Sequence, residues 1–137
     1  MVERAAGLDL DHPVARLPVP AHFEQLAEMV TPDGLAEIAR YADAIGPYSR
    51  SIIPVDAQGR LGEPTSLVRD AHAAGLQVQP YTFRPENQFL PRALWKGEDP
   101  RTRNEDGAIA EIRAYLKAGI DGFFTDDPAV GRKAVDR

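Results

Sequence analysis

Apolar residues recur at helical spacing in three stretches of the chain, separated by shorter runs too compact and too β-branched to continue a helix. Leu35, Ile38, Ala39 and Ala42 share one face behind Thr31-Pro32-Asp33-Gly34, which supplies a cap hydroxyl, a first-position proline and a first-turn acid. That pattern predicts a helix from Pro32 to about Ala44. Glu63-Pro64-Thr65-Ser66 opens a second, with Leu67, Val68 and Ala71 facing inward and Gly75 as its stop. A third runs from Asp106 to Ala118 and packs through Ile109, Ile112, Tyr115 and Leu116. Pro128 to Val135 makes a last helix, with Asp126 and Asp127 supplying cap oxygens before it.

The strand signals lie between these helices. Leu76 to Phe83 is the strongest, with β-branched and aromatic residues and a proline near its end. Ile120 to Phe124 is its companion in the tail, and Ile45-Gly46-Pro47-Tyr48 reads as the end of another strand. Ser51 to Val55 is a second short extended run, limited like its neighbour by proline. Ala74-Gly75-Leu76 and Ala118-Gly119-Ile120 are the same helix-to-strand joint used twice, each with a glycine free to adopt the left-handed conformation. Alternating helices and strands define an α/β chain, in a barrel or in an open doubly wound sheet. Arg84 to Asn104 is a polar, proline-rich loop on the C-terminal side of the best strand, where long loops tend to be functional. Residues 1–30 form a loop-rich segment holding Pro13, Pro18 and Pro20, with one short helical stretch through Phe23, Leu26, Met29 and Val30, and residues 31–137 form the α/β unit.

Composition narrows the function classes. The 137 residues include 43% hydrophobic and 27% charged side chains, enough for one core, whereas a complete (β/α)₈ barrel takes ~250 residues. If these units belong to a barrel, the chain supplies about half of one. With 16 Lys and Arg scattered among 21 acids, the net charge is -5, and no basic stripe exists to track a nucleic-acid backbone. The absence of cysteine excludes disulfides, thiol nucleophiles and Cys-type zinc sites. No stretch approaches the ~18 apolar residues of a membrane span, and Glu3, Arg4, Asp9 and Asp11 occupy the start of the chain, where a signal peptide needs an apolar core. The location of the protein stays open.

Several motifs, in order, carry a family likeness. They are Met29-Val30-Thr31-Pro32-Asp33-Gly34-Leu35-Ala36-Glu37-Ile38-Ala39, Tyr41 through Pro47, Ala74-Gly75-Leu76-Gln77-Val78-Gln79-Pro80-Tyr81-Thr82-Phe83-Arg84, and the tail Gly119-Ile120-Asp121-Gly122-Phe123-Phe124-Thr125-Asp126-Asp127-Pro128. The sequence resembles the C-terminal part of glycerophosphodiester phosphodiesterases of the bacterial branch, whose last strand follows roughly Gly-x-Asp-Gly-x-x-Thr-Asp-x-Pro. The resemblance implies strands six to eight, with their helices, of a TIM-type (β/α)₈ barrel. It also implies hydrolysis of glycerophosphodiesters to glycerol 3-phosphate and an alcohol, in lipid and glycerol metabolism.

In that family a His-Arg-Gly segment, a Glu-x-Asp pair, a second histidine and a further glutamate perform the chemistry with a divalent cation, calcium or magnesium. Those motifs are missing from this sequence. The ion neutralises the phosphate, while the histidines remove and return protons. The chain alone is therefore expected to hold no catalytic residue, to bind no metal by itself and to be inactive. The resemblance leaves it as pocket wall for a small glycerophosphodiester, with Tyr81, Arg84, Phe124 and Asp126 lining the substrate. Tyr81 stacks on the glycerol or alcohol moiety, or else caps the barrel mouth as a core aromatic. Arg84 meets phosphate oxygens, or else is a solvated loop cation. Asp126 reads as a helix-cap or turn residue. Where this branch commonly has Gly-Ile-Gly-Pro-Asn-Lys, the chain has Ala44-Ile45-Gly46-Pro47-Tyr48-Ser49, with Arg50 one place later. No role passes to Ser49, and a substrate contact by Arg50 is left open.

Other motifs carry less. Asp9-x-Asp11-His12 lacks the remainder of a calcium loop. His22 and His72 have no partner at a diagnostic spacing, and His72 reads as a helix-surface residue. No Gly-x-Ser-x-Gly elbow surrounds Ser49, Ser51 or Ser66, and Gly59-x-x-Gly62 is a turn with no Gly-Lys-Ser/Thr behind it. Half a barrel would expose two sheet edges and invite self-association. The alternative is a non-catalytic α/β binding or interaction module derived from the same barrel.

Overall fold

Thr31 Oγ1 accepts a hydrogen bond of 3.2 Å from the Gly34 N–H and starts helix α1 (Pro32–Ile38), as its cap sequence predicts. In the computed structural model, which describes residues 30–136, three further helices follow: α2 (Leu67–Ala73), α3 (Glu105–Lys117) and α4 (Pro128–Val135). Asp127 Oδ1 caps α4 through the Val130 N–H at 3.1 Å. The expectation of a loop-rich segment with one short helix over residues 1–30 falls almost wholly on residues outside those described, as do Asp9, Asp11, His12 and His22.

Three extended segments lie side by side. Strand β1 (Ala44–Ile45) pairs in parallel with β2 (Gln77–Val78), with Ala44 opposite Gln77 and Ile45 opposite Val78. The pairing continues past the regular ladder through a parallel bridge between Tyr48 and Tyr81. On the other side of β2, the Asp121 N–H reaches the Val78 carbonyl at 2.9 Å and the Phe124 N–H reaches the Pro80 carbonyl at 3.0 Å. Phe83 bridges Thr125 in parallel. The spatial order therefore follows the chain order, 44–48, 77–83 and 120–125, with α2 and α3 as the crossovers that parallel neighbours require. The result is a mixed α/β arrangement around a small parallel sheet.

Several expected boundaries shift for identifiable reasons. The first helix ends at Ile38, not near Ala44, because the Arg40 and Tyr41 N–H groups turn back to Glu37 and Ile38. That tight exit releases Ala44 and Ile45 to pair as a strand. Ser51 to Val55 is not an extended run: Ser49–Ser51 forms a 3₁₀ turn, and only Val55 pairs, antiparallel to Leu61. The tail segment Ile120 to Phe124 forms no continuous ladder, since Pro80 opposite it has no N–H to give. The third helix begins one residue early, at Glu105, because the Asn104 side chain accepts from the Gly107 N–H at 2.9 Å.

The core lies between the sheet and the helices. Leu35 and Ile38 of α1, Leu67, Val68 and Ala71 of α2, Ile112 and Tyr115 of α3, and Val130 and Ala134 of α4 meet Ile45, Val78, Phe83 and Ile120. Phe83 sits at the centre, edge-on to Tyr115 at 5.0 Å and to Phe123 at 5.6 Å between ring centroids. Gly119, with φ of 104°, makes the joint that swings the chain from α3 into the third segment.

The long loop after β2 is folded. Asn87 is fully buried and gathers it: Nδ2 donates to the Lys96 and Asp99 carbonyls, each at 3.0 Å, and Oδ1 accepts from the Lys96 N–H and from Asn104 Nδ2. Asn104 in turn caps α3, so the loop and the helix behind it are tied by one side-chain network. Two 3₁₀ turns, Asn87–Phe89 and Arg92–Leu94, present their outer residues toward the C-terminal ends of the strands.

Candidate functional site

All three segments run toward the same end of the sheet, and a cleft of about 530 Å³ opens there. Side chains leaving the strand ends face those of the long loop across it. From the first segment come Tyr48, Ser49 and Arg50, from the second Tyr81, Thr82 and Arg84, and from the loop Phe89 and Arg92. In parallel α/β folds the carboxyl ends of the strands are where ligands bind.

Two kinds of surface line the cleft. Tyr48 and Tyr81 form an aromatic wall, with ring centroids 6.0 Å apart and planes tilted by 45°. Guanidinium groups supply the positive charge of the cleft. Arg84 lies 4.7 Å over the Phe89 ring and pairs with Asp126 at 2.6 Å, and Arg92 lies 4.3 Å over Trp95 and pairs with Glu98. Arginines stacked in this way are pre-oriented for planar recognition of an oxyanion.

The third guanidinium is held from below. Arg50 Nη1 lies 2.7 Å from Glu111 Oε2 and donates to Tyr115 Oη at 2.9 Å. Tyr115 Oη donates a hydrogen bond to the Ser49 carbonyl at 2.8 Å. Glu111 is 2% exposed, and its Oε2 receives no well-aligned hydrogen bond among the described residues despite the close charge contact. Burial pushes the Glu111 carboxyl above the usual range, and the attraction of Arg50 only partly offsets it. Burial alone would lower Arg50, but Glu111 and Tyr115 outweigh it and hold the guanidinium charged.

Of the residues expected to line a substrate, Tyr81 and Arg84 stand in the cleft and Asp126 reaches its rim through Arg84. Phe124 is 44% exposed and lies outside the cleft lining. Arg50, left open by the sequence, lines the cleft, while Ser49 is buried beside it. His72 does have a partner: Nε2 lies 2.7 Å from Asp121 Oδ2, at the start of the third segment and away from the cleft. Residues separated by 49 positions meet there only through folding. Glu111 went unread, although Ala108, Glu111, Ile112 and Tyr115 share one helical face, and an acid in an apolar stripe signals a buried partner.

The parallel segments and the arginine-lined cleft at their ends define an α/β protein with a site suited to an anion, and the comparisons narrow the class. Residues 10–130 match the glycerophosphoryl diester phosphodiesterase family. A curated Arabidopsis thaliana protein, glycerophosphodiester phosphodiesterase GDPD6, is 40% identical over 100 residues, which are 73% of this chain and 24% of that protein. The chain belongs to the glycerophosphoryl diester phosphodiesterase family, whose fold is a TIM barrel. It spans about a quarter of the length of the curated relative.

The family in general depends on a divalent cation. The described residues do not fit one: no group of three or more histidines or acids is placed to hold a metal ion. In the cleft itself three arginines face a single carboxylate, Glu111, which already lies against Arg50. That donor set suits an anion. No helix among the described residues is long and apolar enough to cross a membrane.

Proposed function

We propose that this chain forms the sixth-to-eighth-strand sector of a glycerophosphodiester-hydrolysing barrel and supplies the wall of its substrate site. Three parallel segments in chain order, the first two lining one cleft where they end, are the observation that carries the reading. Within that wall, Arg84 meets the phosphate of a glycerophosphodiester, at the expense of its exposed contact with Asp126, and Tyr81 packs against the glycerol or alcohol moiety. Asp126 completes the rim through its contact with Arg84.

The metal ligands and the proton-transferring histidines belong to the sector bearing the His-Arg-Gly and Glu-x-Asp motifs, so catalysis requires both sectors. The sector described here does not turn over substrate unaided, and its two outer strand edges favour association with a complementary sector or with a second copy. The purified chain, given glycerophosphocholine with calcium, with magnesium or with chelator, is expected to release no glycerol 3-phosphate. Metal-dependent release by this chain alone would overturn the division of labour.

A further inference from the structure

We infer that Arg50 is the principal phosphate-contacting side chain of the cleft, and that Tyr115 and Glu111 are the positioning residues that hold its guanidinium. This rests on the reading of the cleft as a phosphodiester wall and assigns the contact within it. Arg84 and Arg92 are exposed rim residues, each already paired with an exposed acid. Arg50 differs from both. Its side chain is 22% exposed and lines the cleft, while the groups that fix it, Glu111 at 3% and the buried Tyr115, lie beneath.

One nitrogen, Nη1, makes both anchoring contacts. The fork of a guanidinium carries five N–H donors, so the remaining ones are free of those anchors and suited to a bidentate grip on two phosphate oxygens. Tyr115 is itself fixed, since its hydroxyl donates to the carbonyl of Ser49, the residue adjoining Arg50. The 3₁₀ turn Ser49–Ser51 thus turns Ser49 inward and leaves Arg50 at the cleft, with its orientation set before ligand arrives. A side chain ordered in advance by buried partners loses little freedom on binding.

The test is calorimetric titration of the purified chain with glycerol 3-phosphate. Arg50→Gln alone would strand the buried Glu111 charge, so the informative variant is Arg50→Gln with Glu111→Gln, in which both partners become amides. This double variant is expected to keep a cooperative melting transition and to weaken binding by about tenfold or more, the loss that follows from removing a charged hydrogen bond. Tyr115→Phe, which changes no charge, is expected to weaken binding severalfold in the chain that has Arg50 and to leave affinity unchanged in the double-amide background. A merely structural role for Tyr115 would lower affinity in both backgrounds, and that result would overturn its assignment as a positioning residue. Unchanged affinity in a folded double amide would overturn the assignment of Arg50 and shift the contact to Arg84. Failure of the wild-type chain to bind glycerol 3-phosphate would instead overturn the reading of the cleft itself.

Discussion

Arg50→Ala is expected to cost about 3–5 kcal/mol of stability at neutral pH, the range for removing one member of a buried ion pair. Much of its cost comes from what it leaves behind. Glu111, 2% exposed, would lose the cation it lies against, and Tyr115 Oη would lose a donor. The same mechanism fixes the pH dependence. Burial already raises the Glu111 carboxyl in the intact protein, and without Arg50 nothing described here pulls it back. A carboxyl whose folded value exceeds its unfolded value binds more protons in the folded state, so stability falls as pH rises from the ordinary glutamate range through the folded value. The cost of Arg50→Ala is therefore largest above that window and shrinks as Glu111 becomes protonated. Urea unfolding at a series of pH values should show this, and Glu111→Gln added to Arg50→Ala should recover much of the loss at neutral pH. A cost that is independent of pH and unrelieved by the second substitution would mean that the ion pair is not what holds this region.

Phe83→Ala should be comparably severe, at about 3–5 kcal/mol, the range for emptying a buried aromatic position. Phe83 is 2% exposed, and its ring meets two other rings edge-on. Its backbone also joins the second and third segments: the N–H donates to the Phe124 carbonyl at 2.9 Å, and the carbonyl accepts from the Asp126 N–H and from Thr125 Oγ1. Emptying this position leaves a cavity where three elements converge, and slackens the strand that carries Tyr81 and Arg84. Phe124→Ala is the control, because that ring is 44% exposed, and its loss should cost within about 0.5 kcal/mol. Equal losses at the two positions, measured by denaturant unfolding, would contradict the placement of the core.

How far the sequence reached can be judged from particular residues. Thr31-Pro32 and Asp127-Pro128 act locally, through caps that span three residues, and both helix starts were legible for that reason. Gly75 and Gly119 both take positive φ, as the repeated joint implied. The strands were readable as apolar runs but not as ladders, because their regularity depends on partners far along the chain and on Pro80, which breaks the pairing. The long loop defeated local reading altogether. Asn87 and Asn104 look like turn residues in a proline-rich stretch, yet they bond to each other across 17 positions and organise everything between them. At the site, Tyr81 and Arg84 stood out beside a strong strand, whereas Arg50 and Glu111 signal their pairing only once folding brings α3 beneath the 3₁₀ turn. Charge pairs at such separation leave no spacing to detect.

The proposed division of the site between two sectors is open to direct measurement. Residues 31–135 can be exchanged for the matching sector of the Arabidopsis thaliana relative, and release of glycerol 3-phosphate from glycerophosphocholine followed with a divalent cation and with chelator. Release that requires the cation, from a chimera in which the chain alone is silent, is the expected result. A chimera that melts cooperatively and binds glycerol 3-phosphate, yet releases none, would contradict the claim that this chain is the substrate wall of a phosphodiesterase barrel.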